Sequence, residues 1–228
     1  MKKILIPVLC SVLFSTTVSA QKTTVAPTKL EAVKSKLTPK EVIDNYFKAL
    51  GGKAQLEAIK SVITDNTLRV QGMEITMITK KMGNKFKSVQ NVMGQEVTSL
   101  FDGEKGYIDQ MGTKMDIPAD QVVELKKGKT VEALLIDPSK FTSATVESIE
   151  GKQYNVLTSD KGKTYFDAAT GLLYKTDSPD GKMIIKNYLT VDGIKFPQEV
   201  EAEAKGQKVS IKTTKVVVNS GVSDADFK

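Results

Sequence analysis

The sequence predicts a mainly β (α+β) domain: an all-β barrel or sandwich of about eleven to twelve strands, crossed by one long helix and one short helical insert. Three observations predict it. The hydrophobic period changes from helical to two at residue 61 and, outside 118–141, stays there to the end of the chain. Gly-, Asn- and Asp-bearing turns cut this region into short runs. One strong helix signature precedes it, in a chain with no repeat, domain-sized linker or low-complexity tract.

The helix start is Thr38-Pro39 with Glu41, a capping box with proline at the first helical position. Val42, Ile43, Tyr46, Phe47 and Leu50 then recur at helical spacing, and Gly51-Gly52 ends the helix. A second short helix is predicted from Ala54 to Lys60, with Leu56 and Ile59 inward. Leu68 and Val70 alternate with polar neighbours, as do Met73, Ile75 and Met77. Phe86, Val97, Phe101, Tyr107 and Met111 continue the pattern between turns at 82–84, 93–94, 102–103 and 111–112. Pro118 starts a helical stretch with Val122, Val123 and Leu125 that stops near Gly128. The apolar run Ala133 to Ile136 follows and Asp137-Pro138 closes it. Strands resume at about 143–149, 153–159, 163–168, 172–177, 182–189, 195–204 and 207–218, as alternation between turn signals requires.

Composition removes whole classes of chemistry. The 228 residues are 40% apolar and 26% charged, ordinary for a globular chain. There is no histidine and no tryptophan, and Cys10 is the only cysteine. Ser-His-Asp and Cys-His catalysis, zinc sites built on His and Cys, and CxxC redox or iron–sulfur chemistry therefore have no residues to work with. No cofactor is expected. The charge of +6 is carried almost wholly by lysine, Arg69 being the one arginine. Without an arginine or aromatic stripe this does not read as a nucleic-acid surface.

Residues 1–20 read as an address. Met1-Lys2-Lys3 is a positive start, Ile4 to Phe14 an apolar run too short to span a bilayer, and Val18-Ser19-Ala20 a small-residue cleavage pattern. Cleavage after Ala20 and export to the periplasm are expected. Residues 21–37 read as a lysine-rich flexible leader with a helical turn on Leu30, Val33 and Leu37, and 38–228 as one domain. Losing Cys10 with residues 1–20 leaves no cysteine for a disulfide, so the fold rests on its core. The domain holds no membrane-spanning apolar stretch, and a monomer is expected.

Six of the eight methionines (Met73, Met77, Met82, Met93, Met111 and Met115) fall in one half of the predicted sheet. Methionine adapts to varied apolar partners, so this concentration fits either a pocket for acyl chains or ordinary core filling. The aspartates at 160, 167, 177 and 180 sit in turns, where Asp bonds its own backbone. Lys80-Lys81 and Lys126-Lys127 read as solvated surface.

The order helix, meander, helical insert, meander resembles the periplasmic carriers of the outer-membrane lipoprotein-sorting family (LolA-like), with the related glycolipid-binding lipoproteins and LolB-type receptors. The pieces that carry the resemblance are residues 44–61 (DNYFKALGGKAQLEAIKS), Lys80 to Phe86 (KKMGNKF), Phe101 to Tyr107 (FDGEKGY), Tyr165 to Leu173, Tyr188 with Val191 to Pro197, and Gly221 to Phe227. The resemblance implies an incomplete barrel closed over by the N-terminal helix and a helical lid, with an apolar cavity for acyl chains. It also implies an inner-membrane transporter as donor and an outer-membrane acceptor. The carriers keep an arginine in the early-strand connection, thought to hold the lid; Lys81 stands there, without arginine's planar fork.

The reading that results is a non-catalytic carrier for the acyl chains of lipids or lipoproteins, moving them toward the outer membrane. Met73, Ile75, Met77, Phe86, Phe101, Tyr107 and Met111 are expected to line the cavity, Leu134, Leu135 and Ile136 to form part of the lid, and Lys81 to contact the lid or a headgroup. The alternative is a non-catalytic envelope scaffold that binds a protein partner. It would have a filled interior and an exposed apolar groove or sheet edge. A carboxylate hydrolase needs two inward acids that the sequence does not supply.

Overall fold

The computed structural model describes residues 33–228, so the signal-peptide reading and most of the leader lie outside the described residues. Helix α1 spans Pro39–Leu50 and α2 spans Lys53–Ala58. At the start of α1 the Glu41 amide donates to Thr38 Oγ1 (3.3 Å) and the Thr38 amide donates to Glu41 Oε2 (2.8 Å), the reciprocal box the sequence predicts. Gly51 ends it at φ 126, with no room for a side chain: a Cβ there would meet the Gly193 carbonyl oxygen at 2.7 Å.

The strands form one antiparallel, curved and unclosed sheet. An N-terminal meander comprises β2 (Ser61–Val70), β3 (Met73–Met82), β4 (Lys85–Val92), β5 (Gln95–Phe101), β6 (Gly106–Gln110) and β7 (Thr113–Asp116). A C-terminal meander comprises β8 (Ser143–Ile149), β9 (Lys152–Ser159), β10 (Gly162–Asp167), β11 (Leu173–Ser178), β12 (Gly181–Val191), β13 (Ile194–Ala204) and β14 (Gln207–Val218). The last strand β14 pairs with β2 and joins the two. A two-residue strand, β1 (Val33–Lys34), adds to β8, so the described sheet has fourteen strands with edges at β1 and β7. Val33 is therefore in a strand rather than on a helical turn. The sequence count fell short because edge strands of two and four residues are too brief to show alternation.

The insert contains α3 (Ala119–Leu125) and two 3₁₀ turns, Glu132–Leu135 and Pro138–Lys140. Helix α1 lays Val42, Ile43, Tyr46, Phe47 and Leu50 on one face of the sheet, the inner face. There they meet Leu157, Phe166, Leu173, Ile185 and Ile194 in the main core. Tyr46 and Phe166 meet with ring centroids 5.3 Å apart. The Tyr188 hydroxyl donates to the Leu173 carbonyl (2.7 Å), and burial raises the Tyr46 and Tyr188 hydroxyls well above the usual tyrosine value. Val131, Ala133, Leu134, Ile136 and Phe141 of the insert pack against the same core. The outer face has its own cluster, Tyr154, Val156 and Tyr165. A final 3₁₀ turn, Asp224–Phe227, buries Phe227 and ties its aspartates to Lys80 and Lys85.

Candidate functional site

Side chains alternate across a strand, so register decides which residues share the inner face. Starting from Leu68, Ile75 and Val92, which lie opposite one another across β2, β3 and β4, the parity runs through the N-terminal meander. Leu68, Ile75 and Met77 form a buried apolar patch, with Val92 and Ile211 packed against it; no helix residue belongs to this cluster. Nearer the insert, Phe86 lies opposite Phe101, their centroids 6.1 Å apart, with Lys81 across from Phe86 on the other side. Phe101 is fully buried. Gly106 opposite Phe101 must be glycine, because a Cβ would sit 2.3 Å from the Leu100 carbonyl oxygen and 2.8 Å from Ile117 Cδ1.

The structure therefore puts Met73, Ile75, Met77, Phe86, Phe101 and Lys81 on one face. It separates two of the expected lining residues from them. Tyr107 lies opposite Leu100, one position out of phase with Phe101, and so is on the outer face with Lys114 Nζ 4.3 Å from its ring centroid. The physical reason is the pairing of Phe101 with Gly106: its neighbour across the hairpin then points the other way. Met111 is at a hairpin tip at φ 55, 70% exposed, because the β6–β7 turn is two residues long and Met111 is one of them. Met93 occupies the matching tip between β4 and β5 and is also exposed. The methionines thus do not form one lining. Leu134 and Ile136 pack on the α1 core, whereas Leu135 is half exposed.

Lys81 reaches the insert. Its Nζ lies 2.9 Å from Glu132 Oε1 on the first 3₁₀ turn. The lysine charge holds the Glu132 carboxyl below the usual glutamate range. Thr130 adds a second tie, accepting from the Gly83 amide (2.8 Å) and donating to the Lys60 carbonyl (3.2 Å). Sequence reasoning named Lys81 but not Glu132, since a partner 51 positions away leaves no local signal. Because the Glu132 pKa is lowered on folding, the pair stabilises at neutral pH and that contribution disappears as pH falls through the folded value, below about 4.5. Glu132 is well exposed, so Glu132→Gln is expected to cost up to about 1 kcal/mol at pH 7 and nothing at the acid end. Thermal unfolding of both proteins across that range checks it.

Among the described residues no group of three or more His, Cys, Asp or Glu is arranged to hold a metal ion, and no helix is long and apolar enough to cross a membrane. A shallow surface pocket between Gln95, Glu96, Thr98, Asp109 and Met111 is polar and lies away from the apolar patch.

No protein-family model and no curated protein matches the sequence. Solved structures do match the fold. A Vibrio parahaemolyticus domain described as outer membrane lipoprotein-sorting superposes with TM-score 0.55 at 11% identity, over 83% of this chain and 97% of its own. The fold is LolA-like. A DUF1329 family protein of Desulfovibrio piger superposes with TM-score 0.53 at 14% identity, over 84% of this chain and 98% of its own. At such identities the likeness is one of backbone architecture. The LolA-like frame places α1 and the insert over one part of the inner face and leaves the Leu68–Ile75–Met77 patch as a separate cluster.

Proposed function

We propose that this protein is a periplasmic carrier that holds the acyl chains of lipids or lipoproteins against the inner face of β2–β5 and carries them toward the outer membrane. One observation carries the reading: the inner face bears a second apolar patch, Leu68, Ile75 and Met77 with Val92 and Ile211, outside the core that α1 and the insert complete. Met73 extends it, and Phe86 and Phe101 lie on the same face beyond the Thr79–Ser88–Ser99 row. Each acyl CH₂ moved from water onto such a surface contributes about 0.8 kcal/mol, so a chain is held without a specific polar contact. Edges β1 and β7 are not hydrogen-bonded to each other, so widening the interior to admit a chain breaks no backbone ladder between them. The Lys81–Glu132 contact, exposed on the insert side, is a weak tie that suits a lid. Donor and acceptor are, on this reading, an inner-membrane transporter and an outer-membrane receptor.

The test is native mass spectrometry of the chain exported into a bacterial periplasm and purified without detergent, followed by lipid extraction. A stoichiometric acyl-chain adduct is expected. A clean apo mass, with no uptake of added fatty acid or lipopeptide, overturns the carrier reading and favours the protein-binding scaffold. The exposed β7 edge and the exposed Met93 and Met111 tips are the surfaces such a scaffold would use.

A further inference from the structure

The inner face of the N-terminal meander is layered. Between the Phe86–Phe101 pair and the Leu68–Ile75–Met77 patch runs a cross-strand row of hydroxyls: Thr64 opposite Thr79, Thr79 opposite Ser88, and Ser88 opposite Ser99. The row is wired to its neighbours. Thr213 Oγ1 donates to Asn66 Oδ1 (2.9 Å), Asn66 Nδ2 donates to Thr64 Oγ1 (3.2 Å), and the Thr79 and Ser88 hydroxyls share a hydrogen bond (3.1 Å). The wiring stops at Ser99. Ser99 is 1% exposed, and its hydroxyl is the buried side-chain oxygen left without a hydrogen-bond partner among the described residues. A buried hydroxyl without a partner destabilises the protein that carries it, whereas alanine in the same place does not. The hydroxyl therefore has something to gain from a ligand and nothing to gain from the protein alone.

The chemistry around it fixes the kind of ligand. Every polar group in the row is neutral, and so is buried Gln90, opposite Met77 on the same face. The nearest cation on this face, Lys81, is paired with Glu132. A carboxylate or phosphate buried here would lack a counter-charge. A carbonyl needs only one donated hydrogen bond. With apolar side chains on both sides of the row, the group that fits is a carbonyl with hydrocarbon running away from it.

We infer that Ser99 Oγ donates to the ester or amide carbonyl that joins an acyl chain to the rest of its lipid, which makes this row the selector for linked acyl chains over free fatty acids. This rests on the acyl-carrier reading above.

The test compares two probes on the full chain, monopalmitoylglycerol and palmitate, by titration calorimetry, in the wild-type protein and in Ser99→Ala. The wild-type protein is expected to bind the glyceride more tightly. Ser99→Ala is expected to lose about 5- to 10-fold in glyceride affinity, the worth of one neutral hydrogen bond, with palmitate unchanged. The melting temperature without ligand should stay level or rise, because an unpaired hydroxyl has been removed; a hydroxyl of purely structural use would lower it. Equal losses for both probes, an unchanged glyceride affinity, or a lowered melting temperature overturns the assignment of Ser99 while leaving the carrier reading in place. Failure of the wild-type protein to bind either probe overturns both.

Discussion

Met77→Glu is expected to abolish retention of a co-purified acyl ligand. Met77 is 3% exposed in the patch with Leu68 and Ile75, and its cross-strand neighbours Asn66 and Gln90 are neutral, so a carboxylate at this position gains no counter-charge from either. A carboxylate there must be either protonated or solvated. Each alternative removes apolar contact from a bound chain, and an unpaired polar group facing hydrocarbon costs at least about 2 kcal/mol. At about 1.4 kcal/mol per tenfold, occupancy should fall by a factor of more than ten, read as loss of the adduct in native mass spectra. Ile78→Glu is the companion variant. Ile78 is the next residue along β3, points to the other face and is 49% exposed, so the same chemical change there should leave occupancy and melting temperature nearly untouched. Retention in Met77→Glu equal to that in Ile78→Glu sinks the placement of the ligand on the inner face.

Phe101→Ala should be the most destabilising single truncation in the N-terminal meander. The ring is fully buried between β4 and β6 and meets Phe86 at 6.1 Å, while the opposing position is a glycine that cannot fill the space. Losing it removes the ring's transfer energy and leaves a cavity, together about 3–5 kcal/mol. For a domain of this size that is a fall of roughly 10 °C in melting temperature. Phe86→Ala, at 9% exposure nearer the limit of the core, should cost less. Calorimetry of the two variants orders them; a Phe101→Ala protein that melts within about 2 °C of the wild type would show the inner face to be far more plastic than its packing implies.

Local signals were readable in the sequence, and contacts between distant strands were not. The first helix was legible to the residue because Thr38, Pro39 and Glu41 cap it through their own side chains and Val42 to Leu50 keep one face. The strands were legible through alternation and through turn pairs such as Met93-Gly94 and Asp192-Gly193, which need a positive φ at the first position and glycine at the second. Which face each strand turns inward is a different kind of information. Phe101 and Tyr107 are both aromatics flanking an Asp-Gly turn, and only the pairing of Phe101 with Gly106 separates them. In the same way, the methionine concentration is real in sequence, but hairpin tips and the period of two scatter it between core, rim and outer face. Glu132 and the unpaired hydroxyl of Ser99 were beyond reach because each acquires its meaning from a neighbour strand or a distant insert.

The junction of β14 with β2 bears on how the chain folds. Every other ladder except that of short β1 with β8 joins strands consecutive in sequence, so each meander can zip outward from its turns with little loss of chain freedom. The seam instead brings Val218 to Val62 and Val209 to Val70, partners from opposite ends of the described chain. Loop-closure entropy is thereby concentrated in one event, and folding speed should be governed by that closure rather than by the many local hairpins. A circular permutant opened at the insert, with the old termini joined, would shorten the stretch of chain that the seam must close and should fold faster than the natural strand order.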